Sequence, residues 1–174
     1  MLLCNPMVRG GPMPVFTGQF LIETAEQYVG QELVVSDWVT ITQDQVTTFG
    51  EITNHLHWMH LDAERAARES PYGGTLVQGF LMSSLLVQFN DMTELRPADS
   101  AYALNYGFDR VRYLAPVVTG NGVRLRDRIS LLSVEDKGDG RKLMKTSHVL
   151  EVEVSDEPAL YAEWLALWVP KDID

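Results

Sequence analysis

The segment that most constrains the fold of this chain runs from Pro71 to Asn90 and contains no charged residue. Apolar residues recur within it at steps of three and four, as at Val77, Phe80 and Leu81, and this spacing predicts a helix. A helix that is apolar around most of its circumference is typically buried. At about 15 residues it would be roughly 22 Å long, which is too short for a membrane span. We therefore expect the β-rich remainder of the chain to wrap around it.

Short signals ahead of this segment mark further elements. Thr42, with Gln45 three residues later, forms a capping box that predicts a helix over residues 43–52. Asp62 is placed to cap a second, short helix. β-branched residues and an aromatic residue predict one short strand over residues 33–41.

The C-terminal half of the chain has the pattern of β-structure. Strands are predicted over residues 101–114, 122–134, 141–154 and 160–169, and Lys-Gly-Asp-Gly at 137–140 is a hairpin signal. The last of these strands is apolar almost throughout, as a strand in the interior of a sheet can be. The order of elements indicates an α+β fold in which an antiparallel sheet wraps around one long central helix.

Length and charge limit the classes of function. The 174 residues predict a single domain over residues 15–174, preceded by a flexible arm over residues 1–14. The net charge of −10 argues against a nucleic-acid partner, because phosphate binding needs a basic surface. Cys4 is the only cysteine, which favours a reducing compartment. The first residues lack the order of a secretory signal, so we expect a cytoplasmic protein without a membrane partner.

Three of the four histidines lie close together in the sequence, at His55, His57 and His60, whereas His148 lies in a predicted strand. Histidine is the side chain best suited to proton transfer near neutral pH, so the cluster is a candidate catalytic site. A surface loop with polar imidazoles is the alternative. The spacing of His55 and His57 also matches half of a zinc site, but the sequence lacks the acidic residue of a metallo-hydrolase motif between them. Neither a metal nor a cofactor is predicted.

Four segments carry a resemblance to a known family. Residues 49–66, FGEITNHLHWMHLDAERA, resemble the signature segment of the MaoC-like hydratases and dehydratases, nearest to the branch that includes nodulation protein N. Residues 74–81 are similar to the second motif of that family, residues 105–117 to its third, and residues 162–165 to its last strand. The match extends over residues 33–170, and it implies the hotdog fold, usually as a dimer.

What the resemblance implies is acid–base chemistry on an acyl thioester. In the family, an Asp and a His of the signature loop share a water that adds to C3 of a 2-enoyl group or leaves from a 3-hydroxyacyl group. The thioester oxygen gains charge as an enolate and is held by a backbone N–H at the start of the buried helix. Such an amide combines a hydrogen bond with the positive end of the helix dipole.

Position by position, His60 corresponds to the catalytic His of the family and Gly79 to the glycine whose N–H serves the oxyanion. The chain differs from the family at three positions. His55 occupies the place of the catalytic Asp, Asn54 that of a Gly, and Gln78 that of the His before the oxyanion glycine.

These substitutions leave three interpretations open. In the first, His55 replaces the carboxylate as base, and hydration or dehydration continues. In the second, the pocket supports another reaction, such as an isomerisation, elimination or cyclisation on a substrate that need not be a CoA thioester. In the third, the site is inactive and the fold binds a ligand or a partner.

Six further residues are predicted to contact the substrate, which the resemblance implies is a thioester of CoA or of a carrier protein. They are polar or aromatic residues of the matched segments, together with one serine of the predicted central helix: His57, Trp58, Gln78, Ser84, Tyr106 and Arg112. Each also has a structural alternative, since a helix serine commonly bonds back to its own backbone and a strand arginine commonly lies on a solvated face.

Overall fold

A computed structural model of the chain describes residues 19–120 and 122–171. A 3-10 turn at Ala25–Tyr28 precedes four helices and six strands in the described part of the chain. The helices are α1 (Gln43–Ile52), α2 (Trp58–Leu61), α3 (Ala63–Glu69) and α4 (Gly79–Met92). The strands are β1 (Glu32–Val35), β2 (Val39–Ile41), β3 (Ser100–Tyr113), β4 (Val123–Asp136), β5 (Lys142–Val152) and β6 (Leu160–Pro170). The predicted N-terminal arm and Cys4 lie outside the described residues.

The six strands form one sheet in the order β1-β4-β5-β6-β3, and β2 also pairs with β4. All of these pairings are antiparallel. The predicted hairpin joins β4 to β5, and the apolar strand β6 lies in the interior of the sheet between β5 and β3. The long strand β3 therefore forms one edge, because β6 is the one strand that pairs with it within the described chain. The predicted α+β hotdog architecture is confirmed.

The single strand predicted over residues 33–41 is in fact two strands. Val35 pairs with Arg128 and Val39 pairs with Leu125, so four steps along one chain face three steps along the other. The mismatch is absorbed at Ser36, whose N–H donates to the Asp127 carbonyl and whose hydroxyl accepts from the Asp127 N–H, both at 2.9 Å. The apolar pattern did not reveal this bulge, because β1 and β2 both carry apolar residues and the pattern shows no break between them.

The central helix α4 packs one face against the sheet. Its residues Leu81, Met82, Leu85, Leu86 and Phe89 are buried. The opposite face is only partly apolar and is open within this chain, with Phe80 75% exposed. Within the described chain the sheet therefore covers one face of the central helix and leaves the other accessible.

The two predicted caps ahead of α4 are present. The Thr42 hydroxyl accepts from the Gln45 N–H and the Gln45 side chain accepts from the Thr42 N–H, which closes the capping box of α1. The Asp62 carboxylate accepts from the Arg65 N–H at 2.9 Å and caps α3. Among the helices of the described residues, none is long and apolar enough to cross a membrane.

Candidate active site

The three clustered histidines lie close together, with His55 and His57 in the loop between α1 and α2 and His60 in α2 itself. The ring centroids of His55 and His60 are 5.2 Å apart, and His57 lies 6.4 Å from His55 and 6.2 Å from His60. The loop folds back because Asn54 adopts a left-handed conformation, with φ at 53°, and the His55 N–H donates to the Gly50 carbonyl at 2.8 Å. A side chain at Gly50 would meet the His55 carbonyl at 3.2 Å, so a small residue is needed beneath this turn.

His60 is the most strongly held of the three imidazoles. Its Nδ1 lies 2.8 Å from the Leu76 carbonyl, which can only accept, so Nδ1 carries the proton and donates. The Nε2 atom is then the nitrogen available for proton transfer. Burial lowers the pKa of His60 below its usual value, the bond to Leu76 opposes this, and the neighbouring His55 and His57 lower it further. Near neutral pH the ring is therefore neutral, with an unprotonated Nε2.

The backbone around His60 is fixed by residues that were not identified from the sequence. The Gln43 side-chain N–H donates to the His60 carbonyl at 2.7 Å, and the Gln43 side-chain oxygen accepts from the Thr75 hydroxyl. The Leu76 N–H donates to the Met59 carbonyl at 2.8 Å. These bonds attach residues 55–60, which carry the three histidines, to the segment that leads directly into α4.

His55 and His57 are exposed, and they differ in their contacts. The His57 Nδ1 accepts from the Met59 N–H at 3.3 Å, so His57 caps the short helix α2. Trp58 lies beside His57 with ring centroids 5.7 Å apart, and the Arg65 guanidinium lies 4.5 Å from the Trp58 ring centroid. His55 makes ring contacts with His57 and His60, and its side chain forms no hydrogen bond among the described residues. Its imidazole is therefore open to solvent or a substrate.

The N-terminus of α4 supplies the second part of the candidate site. Gly79 is its first helical residue, and the amides of a first helical turn have no partner within the helix. A side chain at Gly79 would lie 2.9 Å from the Tyr113 ring, so only glycine fits there without displacement. The Tyr113 hydroxyl lies 2.9 Å from the Ser83 hydroxyl. Tyr113 was not identified from the sequence, because no pattern in the residues around it indicates that the end of β3 contacts α4.

Gln78 connects the start of α4 with α1, the helix that precedes the three histidines. Its side chain is buried, and its N–H donates to the Val46 carbonyl of α1 at 2.8 Å. The Gln78 side-chain oxygen is buried without a hydrogen-bond partner among the described residues. The residue predicted to contact the substrate therefore holds α1 against the start of α4.

Three of the predicted substrate contacts lie away from the histidines. Ser84 is exposed and donates to the Phe80 carbonyl at 2.8 Å, although it also lines the groove described next. Tyr106 is 63% exposed on β3, and Arg112 donates to the Val111 carbonyl at 2.8 Å. Within the described residues, none of the three forms a hydrogen bond or ring contact with His55, His57 or His60.

A groove of about 690 Å³ runs between α4 and the sheet, and we call it the α4 groove. Ser83 and Tyr113 line its end beside Gly79, and Asn105 and Trp164 line it further along the sheet. Among residues 19–120 and 122–171, no set of three or more His, Cys, Asp or Glu side chains is arranged to hold a metal ion. The arrangement is suited to proton transfer beside an elongated, largely apolar ligand.

The chain is similar to a known protein family. Residues 24–154 match the model of the MaoC like domain. The chain is 40% identical over 143 residues to nodulation protein N of Rhizobium leguminosarum bv. viciae, covering 80% of this chain and 85% of that protein. It is also 40% identical over 141 residues to 3-hydroxyacyl-thioester dehydratase Z of Mycobacterium tuberculosis, covering 80% and 90%. The structure of a monoamine oxidase regulatory protein from Archaeoglobus fulgidus superposes with a TM-score of 0.72 at 20% identity, covering 88% and 97%.

Proposed function

The chain belongs to the MaoC-like domain family, and on that premise we propose that it is a hydro-lyase that adds water to a 2-enoyl thioester or removes water from a 3-hydroxyacyl thioester. The observation that carries this proposal is the His55–His60 pair. The two ring centroids lie 5.2 Å apart, and the bond from Nδ1 of His60 to the Leu76 carbonyl leaves its Nε2 free. A curated relative with 40% identity bears the name of a 3-hydroxyacyl-thioester dehydratase, which supports the same reaction class.

In the hydration direction, His60 and His55 share one water molecule. One imidazole removes a proton as the water oxygen bonds to C3 of the enoyl group, and the electrons of the double bond move onto the thioester oxygen. The Gly79 N–H donates to this enolate oxygen, where the helix dipole adds to the hydrogen bond. The protonated imidazole then gives its proton to C2, so that H and OH have been added across the double bond. Dehydration follows the same steps in reverse.

The absence of a carboxylate from the pair changes how His60 is oriented. The Leu76 carbonyl takes the role of fixing the tautomer, a role that is often filled by an acidic side chain. Because this partner is uncharged, it stabilises the protonated ring less than an Asp would. The lowered pKa of His60 is consistent with a site in which the neutral base is the resting form.

We also propose that the working unit is a homodimer formed through β3. This strand is an unpaired edge of 14 residues, and it exposes Tyr102, Leu104, Tyr106 and Phe108. A long apolar edge is a template for pairing with another strand. The open face of α4, with Phe80 exposed, lies on the same side of the molecule as part of β3, since both line the α4 groove. Sedimentation or light scattering at several concentrations measures the mass, and a monomer at all of them would contradict the proposal.

Direct assay tests the proposed reaction. The protein is incubated with 2-enoyl and 3-hydroxyacyl thioesters of CoA and of a carrier protein, and the loss or gain of the conjugated double bond is followed by absorbance. We expect turnover with at least one carrier, and no turnover with any member of a panel of chain lengths would contradict the proposal.

A proton-shifting isomerase is the second candidate, because no carboxylate of the described chain bonds to any of the three imidazoles. Reaction in ¹⁸O-labelled water distinguishes the two, since hydration places ¹⁸O at C3 and isomerisation does not. The variant His55→Asp restores the carboxylate of the family. Under the hydro-lyase proposal it raises hydration less than about tenfold, and a much larger rise would favour the isomerase.

A further inference from the structure

The fourth histidine forms a second polar site that the proposed reaction does not use. His148 and Asp127 are both completely buried, with the His148 Nδ1 at 2.6 Å from a carboxylate oxygen of Asp127. The His148 Nε2 lies 2.9 Å from the Thr146 hydroxyl. Burial raises the pKa of Asp127 above its usual value, and the charge and hydrogen bond of His148 oppose this rise. The three side chains form a continuous hydrogen-bonded series.

This series interrupts the apolar interior of the sheet. On β4, Asp127 lies between Leu125 of one core cluster and Ile129 of the other. On β5, His148 lies between Leu150 of the first cluster and Met144 of the second. A buried carboxylate–imidazole pair of this kind commonly adds less stability than well-packed apolar residues of the same volume. Stability alone therefore does not account for a carboxylate and an imidazole at this position.

Thr146, the outermost member of the series, lies on the wall of a cavity of about 400 Å³, which we call the Thr146 cavity. Its hydroxyl shares one hydrogen bond with His148 and has a long 3.5 Å contact with the Trp164 carbonyl. A hydroxyl can donate once and accept twice, so at least one good hydrogen bond is still available to a molecule in the cavity.

Asn105 lines the same cavity and is also oriented by the protein. Its side-chain oxygen accepts from the Trp164 ring N–H at 2.8 Å. The amide NH₂ group, with two donors, is left for a ligand, since it has no hydrogen-bond partner among the described residues. The cavity thus offers a hydroxyl and an amide donor, each fixed by a second side chain, within walls that are otherwise mostly apolar.

The Thr146 cavity adjoins the α4 groove, because Val87, Asn105 and Trp164 line both. Along α4, Val87 follows Gly79 by eight residues, which corresponds to about 12 Å. An extended chain advances roughly 1.2 Å per covalent bond, so about ten bonds separate the two positions. A single elongated acyl chain can therefore reach from the Gly79 amide to the wall that the groove and the cavity share, which includes Asn105 and Trp164. The Thr146 hydroxyl lies next to this wall, 3.5 Å from the Trp164 carbonyl.

We propose that the Thr146 cavity binds a hydroxyl group on the distal part of the substrate's acyl chain, about ten bonds from the thioester carbonyl, with Thr146 and Asn105 as its hydrogen-bond partners. This inference rests on the proposed function, since it takes the thioester to lie at Gly79. His148 and Asp127 are positioning residues that hold the Thr146 hydroxyl towards the chain.

The charges of the cavity favour a hydroxyl over a carboxylate. Arg96 is the one cationic side chain of the described lining, and it donates to the Ser100 hydroxyl and to the carbonyls of Ser100 and Ala101. Asp91 contributes a negative charge to the same lining. A ligand carboxylate would therefore lack a free cation, whereas a hydroxyl can accept from Asn105 and bond to Thr146 in either direction.

Binding of unreactive thioether analogues tests the inference separately from catalysis. Two acyl chains of equal length are compared by calorimetry with the full-length protein, one saturated and one with a hydroxyl about ten bonds from the carbonyl position. We expect the hydroxylated chain to bind about tenfold more tightly, the worth of one or two uncharged hydrogen bonds. In Thr146→Val, a substitution of similar shape without the hydroxyl, the ratio of the two affinities should fall to near one, and Thr146→Ser should restore most of it.

Equal affinities in the natural protein, or a preference that Thr146→Val retains, would overturn the inference. Failure of the proposed function has a different signature, namely no turnover of any thioester. The binding ratio is measured whether or not turnover occurs, so the two failures are distinguishable.

Discussion

The molecule has two sites built on histidine, an open site that a substrate can reach and a buried site that is enclosed in the sheet. The open site brings together His55, His57 and His60, with a backbone carbonyl as the partner of His60. The buried site pairs His148 with Asp127 at 2.6 Å, with both side chains fully enclosed. The His–Asp combination that the family signature leads one to expect in the loop is thus found inside the sheet instead. A His–Asp pair alone therefore does not identify the reacting site. Exposure to a substrate and a nearby helix N-terminus identify it.

Because the two sites differ in burial, we expect substitutions in the buried site to affect stability and substitutions in the open site to affect activity. Removing a side chain from the buried site leaves an unpaired polar group in a closed interior, so stability should fall. Removing His55 or His60 from the open site leaves a space that water fills, so stability should change little and chemistry should be lost. Two substitutions, each with a matched control, test this separation.

Asp127→Ala should have the largest effect. It leaves His148 buried without its carboxylate, and we expect the free energy of unfolding to fall by about 3–5 kcal/mol, as measured by urea denaturation. Glu69→Ala is the matched control, because it breaks the exposed Arg65–Glu69 pair and should cost less than about 0.5 kcal/mol. A loss for Asp127→Ala as small as that of the control would remove the distinction between the two sites.

His60→Ala should show the opposite result. We expect kcat/KM to fall at least about a hundredfold, the lower range for a positioned acid–base group. The free energy of unfolding should fall by only about 1 kcal/mol, because the bond to the Leu76 carbonyl is lost. His57→Ala is the matched substitution in the same loop and should lower kcat/KM less than about tenfold, since His57 bonds to the backbone of its own helix. Similar rates for the two variants would argue against a special role for His60.

The pH dependence of the open site gives a smaller effect. Burial and the neighbouring imidazoles lower the pKa of His60, so the neutral base persists below the ordinary histidine range. The acid limb of kcat/KM should therefore have its midpoint below 6.5, with the rate rising as pH rises through it. His57→Gln removes one of the neighbouring positive charges, and we expect the midpoint to move upward. A midpoint above 6.5, or one that moves downward in His57→Gln, would contradict this account.

Much of the fold could be predicted from the sequence because its signals are local. The capping box at Thr42, the cap at Asp62 and the hairpin at 137–140 depend on residues within a few positions of one another. The split between β1 and β2 could not be predicted, because it depends on Ser36 meeting Asp127 across the sheet.

The candidate site divides in the same way. The clustering of His55, His57 and His60 was visible in the sequence, and the resemblance to the family singled out Gly79. The partner of His60 is the carbonyl of Leu76, which is sixteen residues away and has no side-chain signal. Asp127 did carry a signal, as an acidic residue in the apolar phase of an alternating strand. Its pairing with His148 became clear only from the register of β4 against β5.

A double-mutant cycle on His55 and His60 tests the central claim most directly. The claim is that the two imidazoles act as one acid–base unit on a single water. Each of His55→Ala and His60→Ala should lower kcat/KM at least about a hundredfold, and the double variant should be about as slow as the slower single variant, because residues that act as a unit are strongly non-additive. An unchanged rate in His55→Ala, or losses that multiply in the double variant, would contradict the claim.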